Sequence, residues 1–299
     1  MPWLKILSFL LYPTFYAGML RLMVPIVLGA LGEVIAERSG VVNIGLEGII
    51  LLGALFSTYV GHKTVNLWFA IGAGLFVGLI VGLLHALIAV YLAGDQIIDG
   101  VGLNMFALGI GEVVLYLTWG SFATSPQLPR EARVPSMGGF SPFVILTIAL
   151  AILSWFFLEK TKWGLRLRAA GENPVAAEAA GIDVYKIRVI ATVAGSMLTA
   201  LAGIFLALDW LGGYTKNVSA GRGFIALALV VFSRWNPIVA LGGGLIFGFC
   251  YAFSLSIPSG IIADQVLYSV PYVATLLISM GFLAKARPPG AVGRPYKRV

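Results

Sequence analysis

The chain has 299 residues, of which 59% are hydrophobic and 11% charged, and a net charge of +7. A soluble domain carries roughly 25% charged residues, so a soluble globular protein is close to excluded, and a disordered, collagenous or disulfide-built chain is ruled out. The basic surplus does not point to nucleic acid, because Lys and Arg gather at the ends of apolar segments, where membrane proteins use them to set orientation.

Nine apolar segments follow one another. Phe15 to Ala36 carries Arg21 and Glu33, and Asn43 to Val60 carries Glu47. Thr64 to Gly94 is uncharged, while Ile97 to Trp119 holds Asp99 and Glu112. Phe140 to Leu158, Val189 to Leu208, a short piece from Phe224 to Phe232, Trp235 to Ala263 and Gln265 to Ala284 complete the series. A helix needs about 20 apolar residues to cross ~30 Å of hydrocarbon. The pattern therefore predicts an all-α, polytopic transmembrane bundle of about nine spans, a single domain over 1–299, with a loop at about 160–187 and a basic tail at about 285–299. Pro2 to Tyr12 lacks a strongly basic start and a small-residue cleavage site, so no cleavable signal peptide is expected.

Orientation follows from the basic residues. The loop from Glu159 to Arg188 holds six of them and the tail five, so both are assigned to the cytoplasm, as are Arg38 and Arg234. Counting crossings back from the loop places the N-terminus outside. Lys5, Arg21, Lys63, Arg130, Arg133, Lys216 and Arg222 then fall in the membrane or beyond it, thirteen basic residues against seven.

Small residues at helical spacing, Gly74, Gly78 and Gly82, then Gly244 and Gly248, read as seams where helices approach closely. Residues 29–54 and 223–248 share a pattern of apolar half-helix, polar break and Gly-rich return. Interrupted segments in matching positions of two halves often flank a transport path; chance similarity of Gly-rich apolar sequence is the other reading.

Three clusters carry possible chemistry. Asn43 and Glu47, four apart, are expected to share a helix face, and an ionised carboxylate in hydrocarbon costs at least ~2.5 kcal/mol, so Glu47 must face protein or water. Either it lines a path, or Glu33 or Glu47 pairs with Arg38 or with a backbone amide at the break. Asp95 and Asp99 fit the N-terminus of a helix. Asn104 lies one turn beyond Asp99, and Glu112 about three turns beyond it, a carboxylate with no neighbour in sequence. His85 reads as an interhelical hydrogen-bonding residue. One cysteine, Cys250, two histidines and no CxxC or HExxH pattern leave no expected metal site, and no cofactor is expected.

The third cluster is the loop WGLRLRAAGENPVAAEAAGI, Trp163 to Ile182. Asn173 is a good N-cap, Pro174 suits the first helical position, Ala176, Ala177, Glu178 and Ala180 favour helix, and Gly181 can end it in the left-handed conformation. A two-turn helix is marginal in water, so it is expected to rest on a partner, with a plain surface connector as the alternative.

Together with Glu37 to Ala54 (ERSGVVNIGLEGIILLGA) and Gly221 to Pro237 (GRGFIALALVVFSRWNP), this loop resembles the permease subunits of bacterial and archaeal ABC importers of the branched-chain amino acid, ribose and nucleoside type. It is most similar to the shorter permease of nucleoside or simple-sugar importers. The resemblance implies alternating access in a cell (inner) membrane, with Pro174 to Ala180 as the coupling helix on an ATP-binding cassette subunit. It also implies a second permease, as a heterodimer, and an extracytoplasmic substrate-binding protein that delivers to Gln127–Gly139 and Trp210–Arg222. Glu33, Asn43, Glu47, Asn104 and Glu112 are then the candidate path-lining residues. Asn173, Pro174, Ala176, Ala177, Glu178, Ala180 and Gly181 are the candidate coupling residues. Arg21 stands where such permeases have a small or apolar residue.

No GxxxxGK[ST] loop exists, so ATP must be held elsewhere. An ion-coupled secondary carrier, with Glu33, Glu47 and Glu112 as proton sites, is the alternative from another class, and an intramembrane enzyme is a third. The latter lacks an aspartate-rich metal motif. Trp119, Phe122, Trp210 and Tyr214 could stack on a nucleobase or sugar, although Trp and Tyr also gather at membrane interfaces.

Overall fold

The computed structural model describes residues 7–135, 141–258, 263–283 and 287–297. Their secondary structure is helical, apart from one isolated antiparallel bridge between Thr124 and Thr215. Lys5, Lys285, Arg298 and the end of the expected outer loop, 136–140, lie outside the described residues.

Local signals set most helix ends. Helix α1 (Pro13–Arg38) starts with proline at its first turn and stops at Ser39, after which Gly40 turns at φ +98°. Helix α2 (Leu46–Thr64) follows, and α3 (Leu67–Ala86), capped by Asn66, widens into a π-helical turn over Leu87–Tyr91. Asp95 caps α4 (Gln96–Trp119), which Gly120 ends in the left-handed conformation, and Ser141 caps α5 (Pro142–Lys160). On one end of the bundle lie α6 (Lys162–Glu172), capped by Thr161, and α7 (Pro174–Ala179), capped by Asn173. Asp183 opens α8 (Val184–Phe205), which continues as a π-helical stretch to Leu211. The chain ends with α9 (Arg222–Phe232), α10 (Pro237–Ser256) and α11 (Asp264–Leu283).

The core is built on α1 and α8. Every residue of α1 from Leu22 to Glu37 is buried. The two helices cross where Gly32 meets Gly195, so close that a Cβ at either position would strike the other's carbonyl oxygen. The glycine seams are packing surfaces. Gly74, Gly78 and Gly82 on α3 rest on Ile204, Ala200 and Ser196 of α8, and Gly244 and Gly248 on α10 rest on Val27 and Met23 of α1. Such contacts hold helices together where hydrocarbon surrounds them and hydrophobic burial gives no net drive.

Each of the nine apolar segments contains a helix, but six among the described residues are long and apolar enough to cross a membrane: α1, α3 with its π turn, α4, α5, α8 with its extension, and α10. The count of nine therefore does not follow from length and composition. Helix α2 carries Glu47 at one end and His62 and Lys63 at the other. Helix α9 has 11 residues, about 16 Å of rise and half the hydrocarbon thickness.

The breaks after α1 and α9 touch. Trp235 donates its indole N–H to the Glu37 carboxylate, and Arg38 Nε donates to the Trp235 carbonyl at 3.2 Å. The α1 terminus and the α9 terminus thus share one end of the bundle with α6, α7 and the tail. Asp209, Tyr214 and the 121–133 loop gather at the other.

Candidate functional site

Two non-helical stretches enter the bundle, and side chains from neighbouring helices satisfy their backbone groups. In the turn after α1, Glu33 accepts the Asn43 N–H at 2.7 Å and Asn43 Oδ1 accepts the Gly45 N–H at 2.8 Å. Asn104 of α4 accepts the Gly48 N–H at 2.7 Å and donates to the Ile44 carbonyl at 3.1 Å. Gln96 accepts from Val42 N–H at 2.8 Å, and His85 bridges the Val42 carbonyl (2.9 Å) and Asp99 (2.5 Å). Irregular backbone at membrane depth persists only where protein or a wet cavity supplies such partners.

The expected shared face of Asn43 and Glu47 is not present. Helix α2 begins at Leu46, and Asn43 closes a local turn before it, as Asn side chains commonly do. Glu47 reaches the second stretch instead. Its carboxylate accepts Ser219 Oγ and Gly221 N–H, both at 2.6 Å, and Gly223 N–H at 2.7 Å. A carboxylate on the first N–H groups of α9 meets the positive end of that helix. Glycine at 223 permits it, since a Cβ there would lie 2.5 Å from the Glu47 nitrogen. Glu33, Asn43, Glu47 and Asn104 are all buried.

Glu112 stands apart. It is half-exposed and pairs with Lys216 at 2.7 Å, a neighbour in space that its sequence surroundings did not show. Arg21, unexpected in an apolar helix, pairs with Asp209 at 2.5 Å and lies 5.0 Å from the Trp210 ring; Ser141 donates to the same carboxylate at 2.6 Å. Asp95 does cap α4, whereas Asp99 is turned to His85.

Helix α7 is seated, not free-standing. Asn173 Oδ1 accepts the Ala176 N–H at 3.1 Å, and Gly181 turns at φ +80°. Ala177 points inward against Ala170, Val184 and Tyr296, and the Tyr296 hydroxyl donates to Glu178. Val175, Ala176, Ala179 and Ala180 face outward, and Pro174 is half-buried. The tail crosses beneath: Ala291 N–H bonds the Gly171 carbonyl at 2.8 Å, Gly293 N–H the Gly40 carbonyl at 3.1 Å, and Gly290 N–H the Glu172 carboxylate at 3.1 Å. Arg188, counted from sequence with the loop's basic residues, is buried in α8 and donates to the carbonyls of Ser39 (3.2 Å) and Arg294 (3.1 Å).

Sequence reading missed α6, Asp209, the His85–Asp99 pair and the tail's role. Thr161 as a cap and the inward spacing of Leu167 and Ala170 were usable signals for α6. The remaining partners are far apart in the chain. Among the described residues no group of three His, Cys, Asp or Glu is placed to hold a metal.

Six helices long and apolar enough to cross a membrane, joined by polar breaks and with two short capped helices at one end of the bundle, fit a multi-pass membrane protein. Residues 15–280 match the family described as "Branched-chain amino acid transport system / permease component", and the chain belongs to that family. It is 39% identical to the guanosine ABC transporter permease protein NupQ of Bacillus subtilis, over 91% of this chain and 92% of that one. It is 35% identical to the nucleoside ABC transporter permease protein NupC of Lactococcus lactis, over 94% and 95%. A putative glucose ABC transporter permease protein of Haloferax volcanii is also 35% identical, over 81% and 78%. The chain is thus a permease component and not an enzyme, which removes the secondary-carrier and intramembrane-enzyme readings.

Proposed function

We propose that this permease forms one side of the translocation path of an ATP-driven importer and that its solute is a nucleoside. Similarity to guanosine and nucleoside permeases over more than nine-tenths of the chain carries the reading. A simple sugar is the second reading, favoured by the glucose permease relative.

The path runs along the face where α4 and residues 214–222 meet. Lys216, Asn217 and Ala220 are exposed there, Glu112 and Arg222 are partly so, and a charged, non-helical stretch at membrane depth belongs beside water or protein rather than lipid. A second permease, in a heterodimer, covers this face. Glu33, Asn43, Glu47 and Asn104 hold the two breaks that flank the path, and Glu112 borders it directly. The bundle spans the membrane about nine times, with α9 as a half-helix of a broken crossing.

Helix α7 is the coupling helix. Its caps Asn173, Pro174 and Gly181 fix its ends, Ala176 and Ala180 meet an ATP-binding cassette subunit, and Ala177 and Glu178 tie it to the permease. ATP binding moves that subunit, α7 follows, and access alternates. An extracytoplasmic binding protein delivers the solute at the opposite end.

The test is co-purification with the ATP-binding subunit encoded nearby, using Ala176→Arg and Ala180→Arg, which alter only the outward side. Loss of the ATPase from an otherwise folded complex supports the reading, as does nucleoside uptake by the assembled wild type. Full retention in both variants would sink the docking assignment.

A further inference from the structure

A cavity of about 260 Å³ opens where the start of α9 meets the last turns of α10 and the middle of α11, lined in part by Ala220, Arg222, Tyr251, Ser254, Leu255 and Tyr272. Its depth follows from α9. That helix ends beside Glu37 and Arg38 at one face of the bundle, so its first residue stands about 16 Å above that face, near the middle of ~30 Å of hydrocarbon.

Arg222 is held by backbone carbonyls and a tyrosine ring. Its Nη1 donates to the carbonyls of Val218 (3.3 Å) and Ser219 (3.1 Å), and its guanidinium carbon lies 5.1 Å from the centroid of the Tyr251 ring. Nε has no hydrogen-bond partner among the described residues. Among the described residues no carboxylate oxygen lies within 4.0 Å of the Arg222 guanidinium nitrogens. The carboxylate of Glu47 lies nearby and accepts from Ser219, Gly221 and Gly223. On the open side Tyr272 is fixed by its hydroxyl bond to the Ala220 carbonyl at 2.7 Å.

A flat cation inside the membrane, held by backbone carbonyls and lining a cavity, marks a site for ligand recognition. An anion is not required: a guanidinium edge donates two parallel bonds to adjacent acceptors on a planar ring, as it does to the O6 and N7 edge of guanine. Tyrosine rings supply a stacking surface for the same ring. We propose that Arg222, Tyr251 and Tyr272 form a nucleobase-recognition site within the permease, taking a 6-oxopurine nucleoside during its passage. This rests on the importer reading above and adds the residues that read the base, so that selectivity is shared between the permease and its binding protein.

The experiment uses the assembled importer in proteoliposomes. Guanosine uptake by Arg222→Lys, which keeps the charge and removes the fork, falls about tenfold, consistent with loss of one bidentate pair. Tyr251→Leu gives a similar loss, and Tyr251→Phe keeps the ring and most uptake. A second measurement does not depend on transport. With Cys250→Ala as background, Leu255→Cys is modified by a small maleimide, and guanosine slows that reaction while ribose does not.

Uptake by Arg222→Lys equal to wild type overturns the proposal, and so does a modification rate that guanosine leaves unchanged. A wild-type importer that carries sugars but no nucleoside overturns the substrate reading beneath it, a different and separately visible result.

Discussion

Glu47 shows how one side chain joins two distant breaks. Its carboxylate accepts two backbone N–H groups and one hydroxyl, and charge-assisted bonds of this kind are worth ~1.5–3 kcal/mol each relative to none. Glu47→Gln replaces one acceptor oxygen by an N–H₂ group facing backbone donors. It is expected to lower the thermal unfolding midpoint of the detergent-solubilised protein by several degrees, whereas Glu112→Gln, at a half-exposed pair with Lys216, should leave it nearly unchanged. An equal effect of the two would show that Glu47 is not an anchor. Sequence reading identified Glu47 as a carboxylate that must face protein or water. It could not name the partner, because Gly221 lies 174 positions away and nothing local to residue 47 encodes that approach.

Among the elements, the pair α1 and α8 is set by glycine. Gly32 and Gly195 leave no space for a Cβ, while Gly109 on α4 has nothing within reach of one. Gly32→Ala should therefore destabilise the protein by ~1–3 kcal/mol through overpacking, and Gly109→Ala should be neutral or slightly stabilising. Thermal melts of the two variants side by side decide it. At α7 the floor is Tyr296 and the tail. Tyr296→Phe removes the bond to Glu178 but keeps the ring packed on Ala177, so the ATPase should still co-purify while solute-stimulated hydrolysis drops. Unchanged stimulation would mean that the tail does not hold the helix for movement. Helix α7 was legible from Asn173, Pro174 and Gly181, since caps act within a few residues. Its seat was not, because the tail carries no periodicity and reaches α7 only through the fold.

Across the whole molecule, hydropathy gave the nine apolar segments and their helical state, because in lipid a chain must satisfy its backbone within each segment. It could not tell a full crossing from a shorter helix: α9, with 11 residues, owes its place to Glu47 and the central helices rather than to its own length. The placement of α7 and the 121–133 loop at opposite ends gives a direct check. In a Cys250→Ala background, Val175→Cys should react with a membrane-impermeant maleimide only from the cytoplasmic side, and Ala123→Cys only from outside. Labelling of both from one side would invert or refute the topology.

The seat of α7 also imposes an order on biosynthesis. Glu178 and its partner Tyr296 are 118 residues apart, with α8 to α11 between them. While the ribosome is still making those helices, α7 is a two-turn segment without a floor, too short to hold its shape in water. The outward face of α7 is therefore finished only after the intervening helices have been made, and with α7 as the proposed docking element an incomplete permease would offer no seat to its ATPase.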